Sequence, residues 1–261
     1  MPTLKLLLEY DGTDLCGWQL QPEVRTVQGE LEAALEKLVK HPVRVLGAGR
    51  TDAGVHALGQ VASFSIPEEL PDRAFRLGLN ALLPPDIAVR GVERVPDDFH
   101  ARHWSRGKRY RYTVSLLQDR SPLRRRVAWW PRREWDVERL RAAIPHLIGT
   151  HDFSSFRASG CQAKQPVRTL RKIELAQQGD ELTLTFEGTA FLKQMVRNLV
   201  GTLGEVANGK RHPDEVRDIL AARDRKVAGV TAPAQGLTLL EVFYGDGPPF
   251  RVESEHDEED E

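Results

Sequence analysis

The sequence predicts an α+β fold: two ferredoxin-like (split βαβ) halves sharing one mostly antiparallel sheet of about eight strands, with helices on one face and a cleft between the halves. Three observations predict it. Apolar residues alternate with a period of two in short runs and recur every three to four positions in longer ones. These runs follow one another as strand, helix, strand, strand, helix, strand. The same order then returns, with one helix added, in the second half of the chain. The expected organisation is a half over residues 1–105, a half over 106–245 and an acidic, disordered tail over 246–261.

Residues 3–10 read as a buried strand that ends at Asp11-Gly12. Thr26 caps a helix to about residue 40, with Val27, Leu31, Leu35 and Leu38 at helical spacing and Pro42 as its stop. Strands over 43–46 and 60–66 flank a glycine-rich loop. Pro71-Asp72 opens a helix closed by Pro84-Pro85, and a strand over 87–95 completes the half. The second half starts with a strand over 110–117 and a basic loop containing Arg124, Arg125 and Arg126. Asp136 caps a helix ending at Gly149. Strands over 168–176 and 181–187 form a hairpin around Gly179-Asp180. A long helix is expected over 190–208, a short one from Pro213 to Ala222, and a last strand over 237–244.

Composition narrows the function classes. The chain of 261 residues is 40% hydrophobic and 29% charged, as expected of a soluble globular protein, and no apolar run is long enough to span a membrane. The N-terminus runs straight into a strand, so no signal peptide is expected. Cys16 and Cys161 are the only cysteines, in no metal-type spacing, which argues against a zinc site or disulfide framework and for the cytoplasm. The formal net charge of −1 hides an asymmetry, because residues 253–261 hold seven acids and no Lys or Arg. Residues 101–133 hold eleven Lys/Arg against one acid, Asp119. With 28 Arg to 9 Lys, the balance suits phosphate contact and base stacking.

The loop Gly47-Ala48-Gly49-Arg50-Thr51-Asp52-Ala53-Gly54-Val55-His56 concentrates a carboxylate, a guanidinium and an imidazole between two strands. A nucleotide-binding reading of its glycines fails, since a strand rather than a helix follows and there is no phosphate-binding lysine. In Lys108-Arg109-Tyr110-Arg111-Tyr112 the tyrosines share one strand face and Arg109 and Arg111 the other: a stacking platform beside a phosphate-binding surface. On the predicted helix over 190–208, Lys193, Arg197 and Gly201 form one stripe. Gly201 and Gly204 leave room for close packing there, so Arg197 is a candidate to point into a cleft.

Taken together, several separated segments resemble the TruA-type tRNA pseudouridine synthase family. They are Tyr10-Asp11-Gly12 with Gly17-Trp18-Gln19, Arg50 to His56, Gly59-Gln60-Val61, Asn80, Leu83-Pro84, Asp97 to Arg102, Arg109 to Tyr112, Asp152-Phe153, Ser155-Phe156-Arg157, Met195-Val196-Arg197-Asn198 and Ala232 to Leu237. The resemblance covers about residues 3–244. It implies an enzyme that converts uridine to pseudouridine at positions 38, 39 and 40 of the tRNA anticodon arm, works as a homodimer and needs neither cofactor nor metal. It implies Asp52 as the catalytic nucleophile and Arg197 as its ion-pair partner. Tyr110 would stack on the uracil and help remove the C5 proton, Leu237 would pack on the other side of the base, and Arg50 would support the flipped nucleotide. Arg109, Arg111, Arg124, Arg125 and Arg126 are expected to meet the RNA backbone. The rival reading is a non-catalytic RNA-binding protein with paired ferredoxin-like halves.

Overall fold

In the computed structural model the described residues are 1–67 and 70–245; the acidic tail expected over 246–261 lies outside them. The chain divides into two compact units. One comprises Met1–Arg106 with the segment from Leu240 onward, the other Gly107–Leu239.

In the first unit, β1 (Thr3–Tyr10) lies between β3 (His56–Ser65) and β4 (Ile87–Val95), antiparallel to both, and β2 (Leu46–Gly47) pairs with β3. Leu4, Leu6 and Leu8 of β1 are fully buried. They share the core with Leu31 and Leu35 of α1 (Val27–Val39) and with Phe75 and Leu79 of α2 (Asp72–Leu82). Phe75 meets Phe64 of β3 edge to face at 6.1 Å. On the other face of β1, the Lys5 ammonium sits over the rings of Phe99 and Tyr244 and pairs with Glu93 at 2.7 Å. Thr26 caps α1 as expected, accepting the Gly29 N–H at 3.2 Å.

The strand expected over 43–46 shrinks to β2. Val43 and Val45 are buried, but the backbone of Val45 bonds to side chains of α1: its N–H to Glu32 at 3.0 Å and its carbonyl to Gln28 at 3.2 Å. With both groups engaged there, Val45 has nothing left for a ladder, and pairing begins only at Leu46.

In the second unit the strands run β5 (Gly107–Ser115), β8 (Glu181–Gly188), β7 (Val167–Gln178) and β6 (Gly149–Asp152), each antiparallel to the next. The β7–β8 hairpin turns at Gly179-Asp180 as predicted, with Gly179 at φ 56°. Strand β6 brings the total among the described residues to nine. It is short, polar and without alternation, so periodicity could not reveal it. The helix after Asp136 is α3 (Val137–Ala143); at Pro145, which has no N–H to donate, the chain tightens into a 3₁₀ turn over Ile144–Leu147.

The long helix is shorter than predicted. α4 spans Met195–Ala207, because Gln194 has a left-handed backbone (φ 58°) that interrupts the run from residue 190. Lys193 therefore lies outside the helix, and its carbonyl accepts the Ala158 N–H at 3.1 Å. Every residue of α4 except Arg197 is buried. Arg139 closes its C-terminal end, donating to the carbonyls of Val206 at 2.8 Å and Arg211 at 2.7 Å. Helix α5 (Glu215–Ala222) and β9 (Leu237–Phe243) follow. β9 divides between the units after Leu239. The architecture is thus α+β and predominantly antiparallel, as the periodicities predict.

Candidate active site

The candidate residues fall in both units, Arg50 and Asp52 in the first and Tyr110, Arg197 and Leu237 in the second. Asp52 is half-buried and stands in the middle of the loop between β2 and β3, which its neighbours fix. Thr51, just before it, is buried; its hydroxyl meets the Tyr10 hydroxyl at 2.8 Å, and its carbonyl accepts the Trp18 N–H at 3.1 Å. Gln60 reaches from β3 to the Gly49 carbonyl at 2.9 Å. After Asp52, the Val55 N–H closes a tight turn on the Asp52 carbonyl at 3.1 Å, and the Gly54 N–H bonds to Leu15. Within this loop only Gly54 needs the left-handed region (φ 77°); Gly47 is required instead because the Trp18 indole lies where a Cβ would stand, 2.3 Å from it.

His56 begins β3 and is buried, with Nδ1 accepting the Gly12 N–H at 3.1 Å. This ties the loop to the segment after β1. Burial pushes Tyr10 up to about 12 against the opposing hydrogen bonds of Thr51 and Gln60, so it is a neutral phenol across the physiological range. Arg50 is exposed.

In the second unit, Tyr110 and Tyr112 do share one face of β5. Tyr110 is 7% exposed and meets the Phe191 ring edge to face at 5.0 Å. Tyr112 is fully buried, and its hydroxyl donates to the Pro233 carbonyl at 2.7 Å. Burial raises its titration far above the ordinary range, while the nearby Arg197 charge pulls the other way. Arg197 donates through Nε to the Ala232 carbonyl at 2.8 Å, and its own carbonyl accepts the Ala232 N–H at 3.0 Å. The loop over 228–236 thus grips α4 at Arg197 and β5 at Tyr112, and Leu237, 6% exposed, follows it.

Asn198 completes this arrangement and was not singled out by spacing or charge. It is fully buried, donates to Phe156 at 2.8 Å, and accepts from Arg225 at 3.1 Å and Thr231 at 2.7 Å. Its only trace in the sequence is its place beside Arg197. Thr51 and Tyr10 were likewise legible only as parts of motifs.

The arginines differ in their surroundings. Arg109 is paired at 3.0 Å with Glu187, its cross-strand partner on β8. The Arg111 Nε is buried without a hydrogen-bond partner. Arg125 and Arg126 are exposed, and Arg124 is half-buried. Among the described residues there is no cluster of His, Cys, Asp and Glu that could hold a metal ion, and no helix long and apolar enough to cross a membrane.

Known proteins similar to this chain agree with one another. The family described as tRNA pseudouridine synthase matches residues 7–103 and 143–245. A tRNA pseudouridine synthase A from Myxococcus xanthus is 55% identical over 253 residues, covering 97% of this chain and 96% of that protein. Two further proteins of that name are similar over 94% of this chain and 100% of their own length, at 49% identity from Geotalea uraniireducens and 48% from Geotalea daltonii. With a match that runs through the Asp52 loop and, in its second stretch, through α4 to β9, the chain belongs to the tRNA pseudouridine synthase family.

Proposed function

We propose that this chain isomerises uridine to pseudouridine in tRNA, at positions 38, 39 and 40 of the anticodon arm, as a cytoplasmic homodimer without cofactor. The observation that carries the reading is the family match running through Asp52, in a loop whose backbone the buried Thr51 anchors to Tyr10 and Trp18. Both cysteines are free thiols, in keeping with a reducing compartment.

The reaction breaks the N1–C1′ glycosidic bond, turns the uracil and joins C5 to C1′. The proton on C5 leaves and N1 gains one, so nothing is oxidised or reduced overall. The target nucleotide must first leave its stack, at about a few kcal/mol. Asp52 acts as the nucleophile, and Arg197 is its ion-pair partner. Tyr110 offers a ring face to the uracil and a hydroxyl for the C5 proton. Leu237 closes the opposite side of the base, and Arg50 supports the displaced nucleotide. The bonds from Arg197 to Ala232 and from Tyr112 to Pro233 support this assignment, since one loop then positions Leu237 relative to α4 and β5.

The test is incubation of the purified protein with unmodified tRNA transcripts in buffer alone, followed by chemical mapping of pseudouridine. Product at 38, 39 and 40 is expected. Product elsewhere would overturn the assignment of position. Tight binding with no product would favour the non-catalytic RNA-binding alternative.

A further inference from the structure

The loop that leaves β5 and returns beside it carries a leucine almost wholly in water. Both ends of this loop are fixed. The Leu116 N–H donates to Asp180 at 2.8 Å, the Ser115 N–H to Trp129 at 2.7 Å and the Trp129 N–H to Thr113 at 3.0 Å. The Trp130 indole reaches the Leu117 carbonyl at 2.8 Å. The tip is folded as well: the Arg124 carbonyl accepts the N–H groups of Val127 and Ala128, both at 3.0 Å. The Arg125 guanidinium donates to the Pro122 carbonyl at 3.2 Å. On this tip Leu123 is 92% exposed, the highest value for a large apolar side chain among the described residues, with Val127 at 51%. Arg120 precedes it, and Arg124, Arg125 and Arg126 follow.

A lone exposed leucine is ordinary on a protein surface. This one stands on a hydrogen-bonded turn, so its exposure is built into the fold. It is also set among arginines. A surface that offers cations and an apolar edge together fits a ligand with phosphates outside and flat apolar faces between them, which describes RNA. A second copy of this chain fits less well, because a two-fold contact here would bring the same arginines together.

We propose that Leu123 is an apolar contact for the tRNA, packing against an unstacked base or base step while the flanking arginines hold the adjoining phosphates. The inference rests on the synthase reading above. Apolar wedges of this kind partly unstack nucleic acid, and an enzyme that turns its target nucleotide out of the stack has a use for one.

The experiment uses the full-length protein, Leu123→Ala and Leu123→Gln. The side chain is exposed, so both variants should melt at the wild-type temperature. Affinity for an unmodified tRNA transcript is measured across a salt series, with the oligomeric state followed by sedimentation. Kd should rise roughly five- to tenfold at every salt concentration, since the lost contact is apolar. The slope of log affinity against log salt should stay as in wild type. A Kd within twofold of wild type overturns the inference. So does a weaker Kd accompanied by dissociation into smaller species, which would assign Leu123 to a contact between chains. Product formation by wild type is scored separately: its absence would sink the synthase reading, whereas the wedge stands or falls on binding.

Discussion

The Tyr10 and Thr51 hydroxyls meet at 2.8 Å inside the first unit, one residue before Asp52. Gln60 donates to the same Tyr10 oxygen at 3.4 Å and to Gly49 at 2.9 Å. A buried polar cluster therefore fixes the loop next to Asp52 in the chain. Such a cluster is costly to break, because each deleted partner leaves another buried group unsatisfied.

Tyr10→Phe should lower stability by about 1–3 kcal/mol near neutral pH, read as a shift in urea midpoint. It should lower kcat more than it raises KM, because Asp52 is carried less firmly while the RNA surface is unchanged. The pH dependence has a definite sign. Tyr10 is raised by burial from 10.0 to about 12, so its contribution is fully present below pH 10 and is lost as pH rises through about 12. Wild type should lose about 2–3 kcal/mol through that window which the Phe variant does not lose. Burial raises Tyr112 and Tyr244 too, so the quantity to follow is the difference between the two proteins. A difference that stays constant from pH 9 to 12 would show that Tyr10 titrates as in the unfolded chain.

Asp52→Asn keeps the size and most of the hydrogen-bonding capacity of the side chain and removes its charge. Turnover of unmodified tRNA should be abolished, with tRNA affinity within several-fold of wild type and an unchanged melting temperature. Single-turnover assays with enzyme in excess provide the check. Substantial product from a preparation free of wild-type enzyme would take Asp52 out of the chemistry.

Tyr110 separates stacking from proton transfer. Tyr110→Phe keeps the ring and its edge contact with Phe191, whereas Tyr110→Leu loses both ring and hydroxyl. If the ring alone matters, Phe should be nearly as active as wild type and Leu should lose about 1–3 kcal/mol, roughly five- to 150-fold. If the hydroxyl accepts the C5 proton, Phe should stall after glycosidic cleavage and build up an intermediate on the enzyme. Wild-type rates in both variants would remove Tyr110 from the site.

What the sequence made legible, and what it did not, follows from the range of the forces involved. Local signals held: the Thr26 and Asp136 caps, the Pro42 stop and the Gly179-Asp180 turn depend on residues within a few positions. The start of α4 did not, since residues 190–194 look helical until Gln194 turns left-handed and the Lys193 carbonyl bonds to Ala158, a residue distant in sequence. The small-residue stripe of α4 was read correctly as a place of close packing. Its partner could not be named, and at Gly201 it is the Val230 carbonyl, 1.7 Å from where a Cβ would stand. Asn198 escaped because a buried amide serving Phe156, Arg225 and Thr231 has no periodic signature. Motif resemblance singled out Asp52 and Arg197, but it gave no reason why Thr51 is buried.

The basic segment over 101–133 gives the last prediction, because its arginines should not contribute equally. Arg109 already faces Glu187 at 3.0 Å, so a phosphate there would have to compete with a carboxylate. Arg125 and Arg126 are exposed beside Leu123. Phosphate contacts release counterions, and each one steepens the dependence of log affinity on log salt by about 0.7–0.9. Changing Arg124, Arg125 and Arg126 together to Gln should flatten that slope by about two to three and weaken different tRNAs alike, leaving the modified positions unchanged. Arg109→Gln should flatten it far less. The measurement is a salt titration of tRNA affinity for the three proteins side by side. A triple variant with the wild-type slope would mean that the RNA backbone does not pass this loop. An Arg109→Gln slope as shallow as the triple variant's would mean that Glu187 yields its partner to the phosphate when tRNA binds.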